Sequence, residues 1–304
     1  MIIQKCTFTP ILIDSRFLRK GILIKLTDDQ GKTASAEVSP LPGNSSETIE
    51  DALMQLRLLE RQITTTWWTK QTLEALKNLS LYPSVHFGVE SALLDLLDPI
   101  EEASSTLKYA LLLGSPSEIE ARADEVYSQG FRQAKVKLGH LSLEDAIQIV
   151  EKLTKRFHLR IDLNQKWPLG QTLALCKQIP GSELEYIEEP AKDPKELLDF
   201  PFPFALDETL RQGVPLAPFL KLKALKALIV KPTLLYPFTP LLSLGKRIVL
   251  TSSFEGTIGI RQIERLSRRH HLHFTYHGLD SLRYFETPAD YEPVPHYALE
   301  TATR

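Results

Sequence analysis

Cysteine is nearly absent from this 304-residue chain, with Cys6 and Cys176 its two representatives. Two thiols cannot build a disulfide framework or a cysteine zinc site, and such usage suits a reducing compartment. Long apolar runs are missing too: nowhere do about 18 apolar residues follow one another, which excludes a membrane-spanning helix. The opening stretch MIIQKCTFTPILIDSRF has neither an apolar core nor a cleavage pattern, so no secretion signal is expected and the expected location is cytoplasmic. An excess of charge is lacking as well. Lys+Arg number 36 against 38 Asp+Glu, a formal balance of −2. That leaves no electrostatic footprint for nucleic acid or an anionic membrane, and neither is expected as a partner. There is no H-E-x-x-H and no G-x-S-x-G. Gly31-Lys32-Thr33 lacks the earlier glycine of a phosphate loop, because position 26 is Leu26. Arg268-Arg269-His270-His271, with His273 beyond, precedes the last strand-like run rather than following it, and reads as a solvated helix end.

What is present is ordinary in amount and informative in order. Charged residues make up 24% and apolar residues 43%, as in a soluble globular protein. In the first hundred residues, strand-like runs at 2–8, 17–26 and 33–38 precede helical ones at 48–61 and 85–97. Asp28–Gly31 suggests a hairpin, and Ser39-Pro40-Leu41-Pro42-Gly43 a loop. Strands first and helices after describe an α+β unit. From about residue 107 the pattern alternates, with eight strand-like runs at 108–113, 134–138, 159–163, 184–187, 204–206, 225–230, 247–250 and 272–276. Helical stretches separate several of them, most clearly at 117–129 and 142–157. This predicts a parallel β/α barrel. A doubly wound open sheet would carry a glycine-rich phosphate loop after its first strand, and none is present.

In such a barrel the chemistry sits at the C-terminal ends of the strands. There the sequence places Lys135 and Lys137, then Arg160, Asp162 and Asn164, then Glu188-Glu189-Pro190, Asp207-Glu208, Lys231-Pro232, Thr251-Ser252-Ser253 and Gly278-Leu279-Asp280. Residues two apart on a strand share a face. Carboxylates at 162, 188 and 207 therefore meet on three adjacent strands, an oxygen-ligand site suited to Mg²⁺. Lysines on the second and sixth strands flank them, and a lysine beside another cation loses its proton more readily and acts as a base. Each feature alone has a plainer reading: the K-x-K as a solvated rim, the E-E-P as a strand stop, Asp162 as a helix cap. Their conjunction on consecutive strands does not.

These residues resemble the enolase superfamily and its muconate-lactonising subgroup, and more narrowly the o-succinylbenzoate synthase family. The carrying stretches are Ser39-Pro40-Leu41-Pro42-Gly43, His86-Phe87-Gly88-Val89-Glu90, Arg160-x-Asp162-x-Asn164, Val230-Lys231-Pro232-Thr233-Leu234 and Gly278-Leu279-Asp280-Ser281-Leu282. The resemblance implies an enolase-like fold: an N-terminal α+β capping domain over 1–102 on a modified TIM-type (β/α)7β barrel over 103–284, with a tail at about 285–304 packing back on the cap. It implies that Asp162, Glu188 and Asp207 hold Mg²⁺, with Mn²⁺ able to substitute, and that Asn164 and Glu189 support them. Lys137 matches the proton-abstracting base, Lys135 the lysine supporting the base and the substrate carboxylate, and Lys231 the lysine on the opposite face. Arg160, Ser252 and Ser253 fall at substrate positions, the serines acting largely through backbone groups. Leu41 falls on a loop that covers the site. The implied partner is a small carboxylate. The implied reaction is Mg-dependent dehydration of 2-succinyl-6-hydroxy-2,4-cyclohexadiene-1-carboxylate to 2-succinylbenzoate in menaquinone biosynthesis.

Two features depart from the family pattern. The loop Ser252-Ser253-Phe254-Glu255-Gly256-Thr257 is less serine-rich, and the short spacing from Glu188 to Asp207 implies a trimmed fourth helix. The same lysine pair also suits an N-acylamino-acid racemase or dipeptide epimerase, and a non-catalytic carboxylate-binding barrel is the remote alternative. No oligomeric interface is legible in the sequence.

Overall fold

The computed structural model describes residues 1–16, 18–100, 106–286 and 292–293. Strands β1 (Ile3–Asp14), β2 (Arg19–Asp28) and β3 (Thr33–Val38) form an antiparallel sheet. The turn between β2 and β3 is made by Asp28, whose Oδ1 accepts from the amides of Gln30 and Lys32, and by Gly31 at φ +77°. Against this sheet pack helices Ile49–Thr65 and Pro83–Leu97. The first begins at Thr48, whose hydroxyl accepts from the Asp51 amide while the Asp51 carboxylate accepts from the Thr48 amide. Its Leu53, Leu56, Leu59 and Ile63 join Ile22, Ile24 and Val38 of the sheet in one core.

A second sheet has seven parallel strands in chain order: β4 (Ala110–Leu112), β5 (Gln133–Lys137), β6 (His158–Asp162), β7 (Leu184–Glu188), β8 (Phe204–Leu206), β9 (Leu225–Val230) and β10 (Arg247–Leu250). A last short strand, β11 (Glu292–Pro293), returns to pair with β1 through Ile11 and Leu12. At the start of the tail Phe285 packs on Ile11 and Ile13, and the Glu286 amide donates to Asp14 Oδ2 at 2.9 Å; residues 287–291 and 294–304 lie outside the described residues, as do Phe17 and the 102/103 domain boundary.

The period of two sorts every barrel strand. Ala134, Val136, Leu159, Ile161, Ile187, Phe204, Leu206, Leu228, Val230, Ile248 and Leu250 face outward onto the helices in one large core. Each buried aliphatic side chain there stabilises the fold by roughly 1.5–3 kcal/mol. The alternate residues point inward. Tyr109, Tyr186, Ala205, Ala227, Ile229 and Val249 form a separate inner cluster, so the small alanines leave room for the two tyrosines. Between β7 and β8 the connection holds a 3₁₀ turn, Pro194–Asp199, in place of a full helix, as the short spacing implied.

The eighth strand differs from expectation. Residues 272–276 are not extended: the Thr275 amide donates to the Leu272 carbonyl, and Phe274 is 81% exposed. The alternation of Leu272, Phe274 and Tyr276 has no sheet face to bury against. Closure falls instead on two single bridges, Lys108 with His277 and Thr251 with Gly278. Side chains complete the seam. The Leu111 amide donates to Asp280 Oδ2, the Tyr284 hydroxyl donates to the Leu111 carbonyl, and His277 Nδ1 accepts from the Leu250 amide. A Cβ at Gly278 would lie 2.2 Å from the Tyr109 hydroxyl oxygen, so glycine lets this segment close on the barrel.

The two lobes are tied by polar groups. The Glu37 carboxylate of β3 accepts from the amides of Gly256 and Gly259, each at 3.1 Å, at the N-terminus of helix Thr257–Arg269. Gln262 accepts from the Glu37 amide at 2.6 Å. Among the described residues, no helix is long and apolar enough to cross a membrane.

Candidate active site

The inward faces of β5 to β7 carry the charged residues. Register aligns Lys137 with Asp162 and Asp162 with Glu188 across neighbouring strands. Lys135 Nζ lies 2.5 Å from Glu188 Oε1 and 2.8 Å from Asp162 Oδ2, and Lys137 Nζ lies 3.6 Å from Asp162 Oδ2. Lys231, at the end of β9, is paired with Asp207, at the end of β8. Asp162 and Glu188 are fully buried, whereas the Lys137 side chain is 30% exposed. Lys137 is therefore the lysine that reaches open space.

Burial dominates the electrostatics and is answered unequally. It would raise all three carboxylates. For Asp162 the charges of Lys135, Lys137 and Lys231 outweigh it and hold the group below the usual carboxylate range, and Lys231 does the same for Asp207. Glu188 stays well above that range, because burial and the neighbouring Asp162 charge outweigh Lys135. For the lysines the sign reverses. Burial would lower Lys135 and Lys231, but Asp162 and Glu188 hold Lys135 up, and Asp207 and Glu208 hold Lys231 up. The nearest partners of both are carboxylates. Lys231 was expected to stay protonated, and its carboxylate neighbours favour that form.

Ligand capacity remains. Glu188 Oε2 is buried without a hydrogen bond, and Asp162 Oδ2 is buried with the Lys135 and Lys137 ammonium charges beside it but no well-directed hydrogen bond. Three buried carboxylates, two of them with such an oxygen, fit a hard divalent cation by donor chemistry. Among the described residues, however, no three His, Cys, Asp or Glu side chains already converge on one point. The lysine ammonium groups are interposed. A cation held by all three carboxylates would have to displace Lys135 from Asp162 and Glu188, and Lys231 from Asp207.

Above these groups opens a cavity of about 280 Å³, lined by Lys135, Lys137, Asn164, Glu208 and Lys231 on the charged side. Leu41 and Asn44 come from the antiparallel lobe, and Tyr109, Leu111, Thr251, Ser252, Ser253, Phe254, Gly278 and Ser281 complete the wall. Leu41 was expected to cover the site, and it lines it. A larger cavity, about 360 Å³, lies beside Thr33, Asp95 and Arg261. None of its lining side chains carries a buried unpartnered polar atom, so size alone does not locate the chemistry.

The remaining expected residues fall in three groups. Asn164 donates to Glu208 at 3.1 Å, and its amide donates to Asp162 Oδ1 at 3.0 Å. Glu189 turns away from the cavity. It accepts from the amides of Asp207 (2.6 Å) and Thr209 (2.8 Å), the Thr209 hydroxyl and Gln165, and burial pushes its pKa up to about 7 against those bonds. It therefore holds the Asp207 turn in place. Arg160 is not in the cavity wall. Its guanidinium grips Glu185 through Nε at 2.6 Å and Nη2 at 3.2 Å, donates to the Tyr276 carbonyl, and lies over the rings of Tyr109 and Tyr186. The structure places it beneath the site, where Glu185 rather than a substrate satisfies it.

Ser252 and Ser253 do line the cavity, but their amides are spent on the Gly278 carbonyl and on Glu255 Oε2. Those two amides are therefore already paired within the wall. In the cavity wall, the described buried hydroxyls without a partner are those of Ser253 and Thr251. Sequence reasoning placed Glu208 and Thr251 at strand ends and Ser281 in a family stretch but gave no role to them or to Tyr109. Tyr109 and Thr251 were findable by continuing the inward period of β4 and β10 past the strand ends. Ser281 sits after the last bridge, where no period reaches.

Comparisons with known proteins agree with this fold. The family "MenC, N-terminal domain" matches residues 9–96, and "Enolase C-terminal domain-like" matches residues 118–243. The chain is 30% identical to an o-succinylbenzoate synthase of Vibrio cholerae, over 93% of this chain and 89% of that protein. It is likewise 30% identical to one from Pasteurella multocida, over 90% of this chain and 85% of that protein. Among solved structures, an o-succinylbenzoate synthase from Thermosynechococcus elongatus with magnesium in its active site superposes with a TM-score of 0.71 at 21% identity, covering 95% of each chain. An L-Ala-D/L-Glu epimerase from Bacillus subtilis superposes with a TM-score of 0.77 at 18% identity, covering 95% of this chain and 92% of that one. At such identities the fold is what is shared.

Proposed function

The chain belongs to the o-succinylbenzoate synthase family of the enolase superfamily, and on that premise we propose that it dehydrates 2-succinyl-6-hydroxy-2,4-cyclohexadiene-1-carboxylate to 2-succinylbenzoate, a step of menaquinone biosynthesis. It is a carbon–oxygen lyase. The observation that carries the reading is one cavity into which Lys137 and Lys231 both open above Asp162, Glu188 and Asp207.

The difficulty of the reaction is a C–H bond α to a carboxylate, which is barely acidic. In our reading Lys137, the lysine with free access to the cavity, takes that proton. The same ammonium then gives a proton to the departing ring hydroxyl, which leaves as water, and the ring becomes aromatic. Lys231 stays protonated beside Glu208, and its fixed charge faces the electron-rich ring. Lys135, also in the cavity wall, orients the substrate carboxylate with its positive charge. Asp162, Glu188 and Asp207 hold Mg²⁺, for which Mn²⁺ substitutes as another oxygen-seeking cation. Bound there, the cation supplies positive charge that stabilises negative charge developing on the substrate carboxylate. Leu41 shields the site from water, with residues 1–102 as the cap and 103–284 as the barrel.

An ultraviolet assay with the cyclohexadiene substrate tests the reading. Conversion that stops with chelator and returns with Mg²⁺ is the expected result. No conversion, together with exchange of the α-proton of an N-acylamino acid or dipeptide in D₂O, assigns the chain to the racemase or epimerase chemistry instead.

A further inference from the structure

Arg19 opens β2 and is 3% exposed. A buried guanidinium commonly forks onto a carboxylate. Here its hydrogen bonds go to main-chain oxygens alone. Nη1 donates to Pro40 and Lys20, Nη2 to Ser39 and, at 3.3 Å, to Ser253, and Nε to Phe254 at 3.2 Å. Glu255 and Glu37 contribute charge nearby and partly offset the cost of its burial.

Apart from that of its neighbour Lys20, the carbonyls it gathers belong to two segments of different lobes. Ser39 and Pro40 lead directly into Leu41 in the cavity wall, and Ser253 and Phe254 are themselves part of that wall. The hold is passed on. Across a planar trans peptide the Phe254 N–H points opposite to the Ser253 carbonyl. Drawing that carbonyl to Arg19 therefore aims the Phe254 amide at Ser252 Oγ, 3.2 Å away, and Ser252 Oγ in turn meets Ser281 Oγ at 2.5 Å.

We infer that Arg19 is a positioning residue that sets the spacing between the Leu41 wall and the Ser252–Phe254 wall, and so governs substrate affinity rather than proton transfer. The inference rests on the proposed function for its substrate. Five donors on a planar fork span four carbonyls from two segments; an ammonium has three donors converging on one atom and cannot.

The test uses Arg19→Lys in the full chain with Mg²⁺. KM for the cyclohexadiene substrate rises about 10-fold or more while kcat stays within about threefold, the pattern of lost binding shared by ground and transition states. In Arg19→Ala, millimolar guanidinium lowers KM again and methylammonium does not. Hydrogen exchange, which needs no substrate, quickens together in peptides covering 39–45 and 252–256. Loss of kcat at unchanged KM overturns the inference, as does faster exchange in one segment without the other. Failure of Arg19→Lys to fold, judged by circular dichroism, also overturns it, because Arg19 would then support the fold rather than the wall. A wild-type protein that leaves the substrate unconverted refutes the proposed function, and hydrogen exchange alone then decides the clamp.

Discussion

Acid should open the barrel at its seam through a single side chain. His277 is fully buried, accepts from the Leu250 amide at Nδ1 and donates from Nε2 to the Leu272 carbonyl, a pattern only the neutral ring can make. Burial holds its pKa down to about 4, the Leu272 carbonyl opposing and the charge of Arg160 reinforcing. In the unfolded chain the group titrates near its ordinary value of about 6.5. Between those values the unfolded state binds the extra proton, so stability is intact above about pH 6.5 and is lost as pH falls towards 4. A depression of that size corresponds to about 3 kcal/mol at pH 4. His277→Asn keeps an acceptor for the Leu250 amide and does not titrate. Urea unfolding of both proteins, followed by circular dichroism from pH 8 to pH 4, isolates the effect, because other groups cancel in the difference. The wild-type advantage should be constant above about pH 7 and shrink by about 3 kcal/mol by pH 4. A difference that does not vary with pH would refute the reasoning, since His277 would then titrate alike in both states.

Asp162→Ala, Glu188→Ala and Asp207→Ala should each weaken Mg²⁺ binding, read by calorimetric titration, and lower turnover by roughly 100-fold or more; near-normal activity of two of them in limiting Mg²⁺ would remove the metal assignment. Glu189→Gln should cost less activity than Glu188→Gln, because Glu189 binds the Asp207 turn from behind; the reverse order would exchange their roles. A small amine should partly rescue Lys137→Ala, increasingly as pH rises and free amine accumulates, whereas rescue of Lys231→Ala should follow the protonated amine and fade. Opposite trends would make Lys231 the base. Gly278→Ala, whose methyl would fall 2.2 Å from the Tyr109 hydroxyl oxygen, should lose about 1–3 kcal/mol in denaturant unfolding; unchanged stability would mean that the Tyr109 ring yields.

What the sequence made legible is what the period of two controls. It put Lys135 with Lys137 and Asp162 with Asn164, and the structure has Lys135, Lys137 and Asn164 in one cavity wall. The same rule failed where strands end. Residues 272–276 alternate well yet meet no sheet, because pairing to Lys108 and Thr251 begins at His277. Arg160 lies on the inward face as its spacing requires, but facing inward does not say how high in the barrel a long side chain reaches. Glu185, on the next strand, draws it down. The engaged amides of Ser252 and Ser253 could not be foreseen either, since Glu255 and Gly278 reach them through loop conformation rather than spacing.

The side-chain seam between the first and last barrel strands joins the most distant parts of the parallel sheet. Leu111 bonds to Asp280 and Tyr284 across sequence separations of 169 and 173 residues. Such contacts carry a large loop-closure entropy and return few hydrogen bonds for it. The seam should therefore form late in folding and be among the first parts of the barrel to open. Tyr109, Leu111, Gly278 and Ser281 belong to this joint and also to the cavity wall. A ligand filling the cavity spans the joint, so occupancy acts as a clasp. Binding free energy becomes resistance to local opening, and amide protection at Leu111 and Gly278 should report occupancy before any change in global unfolding is visible.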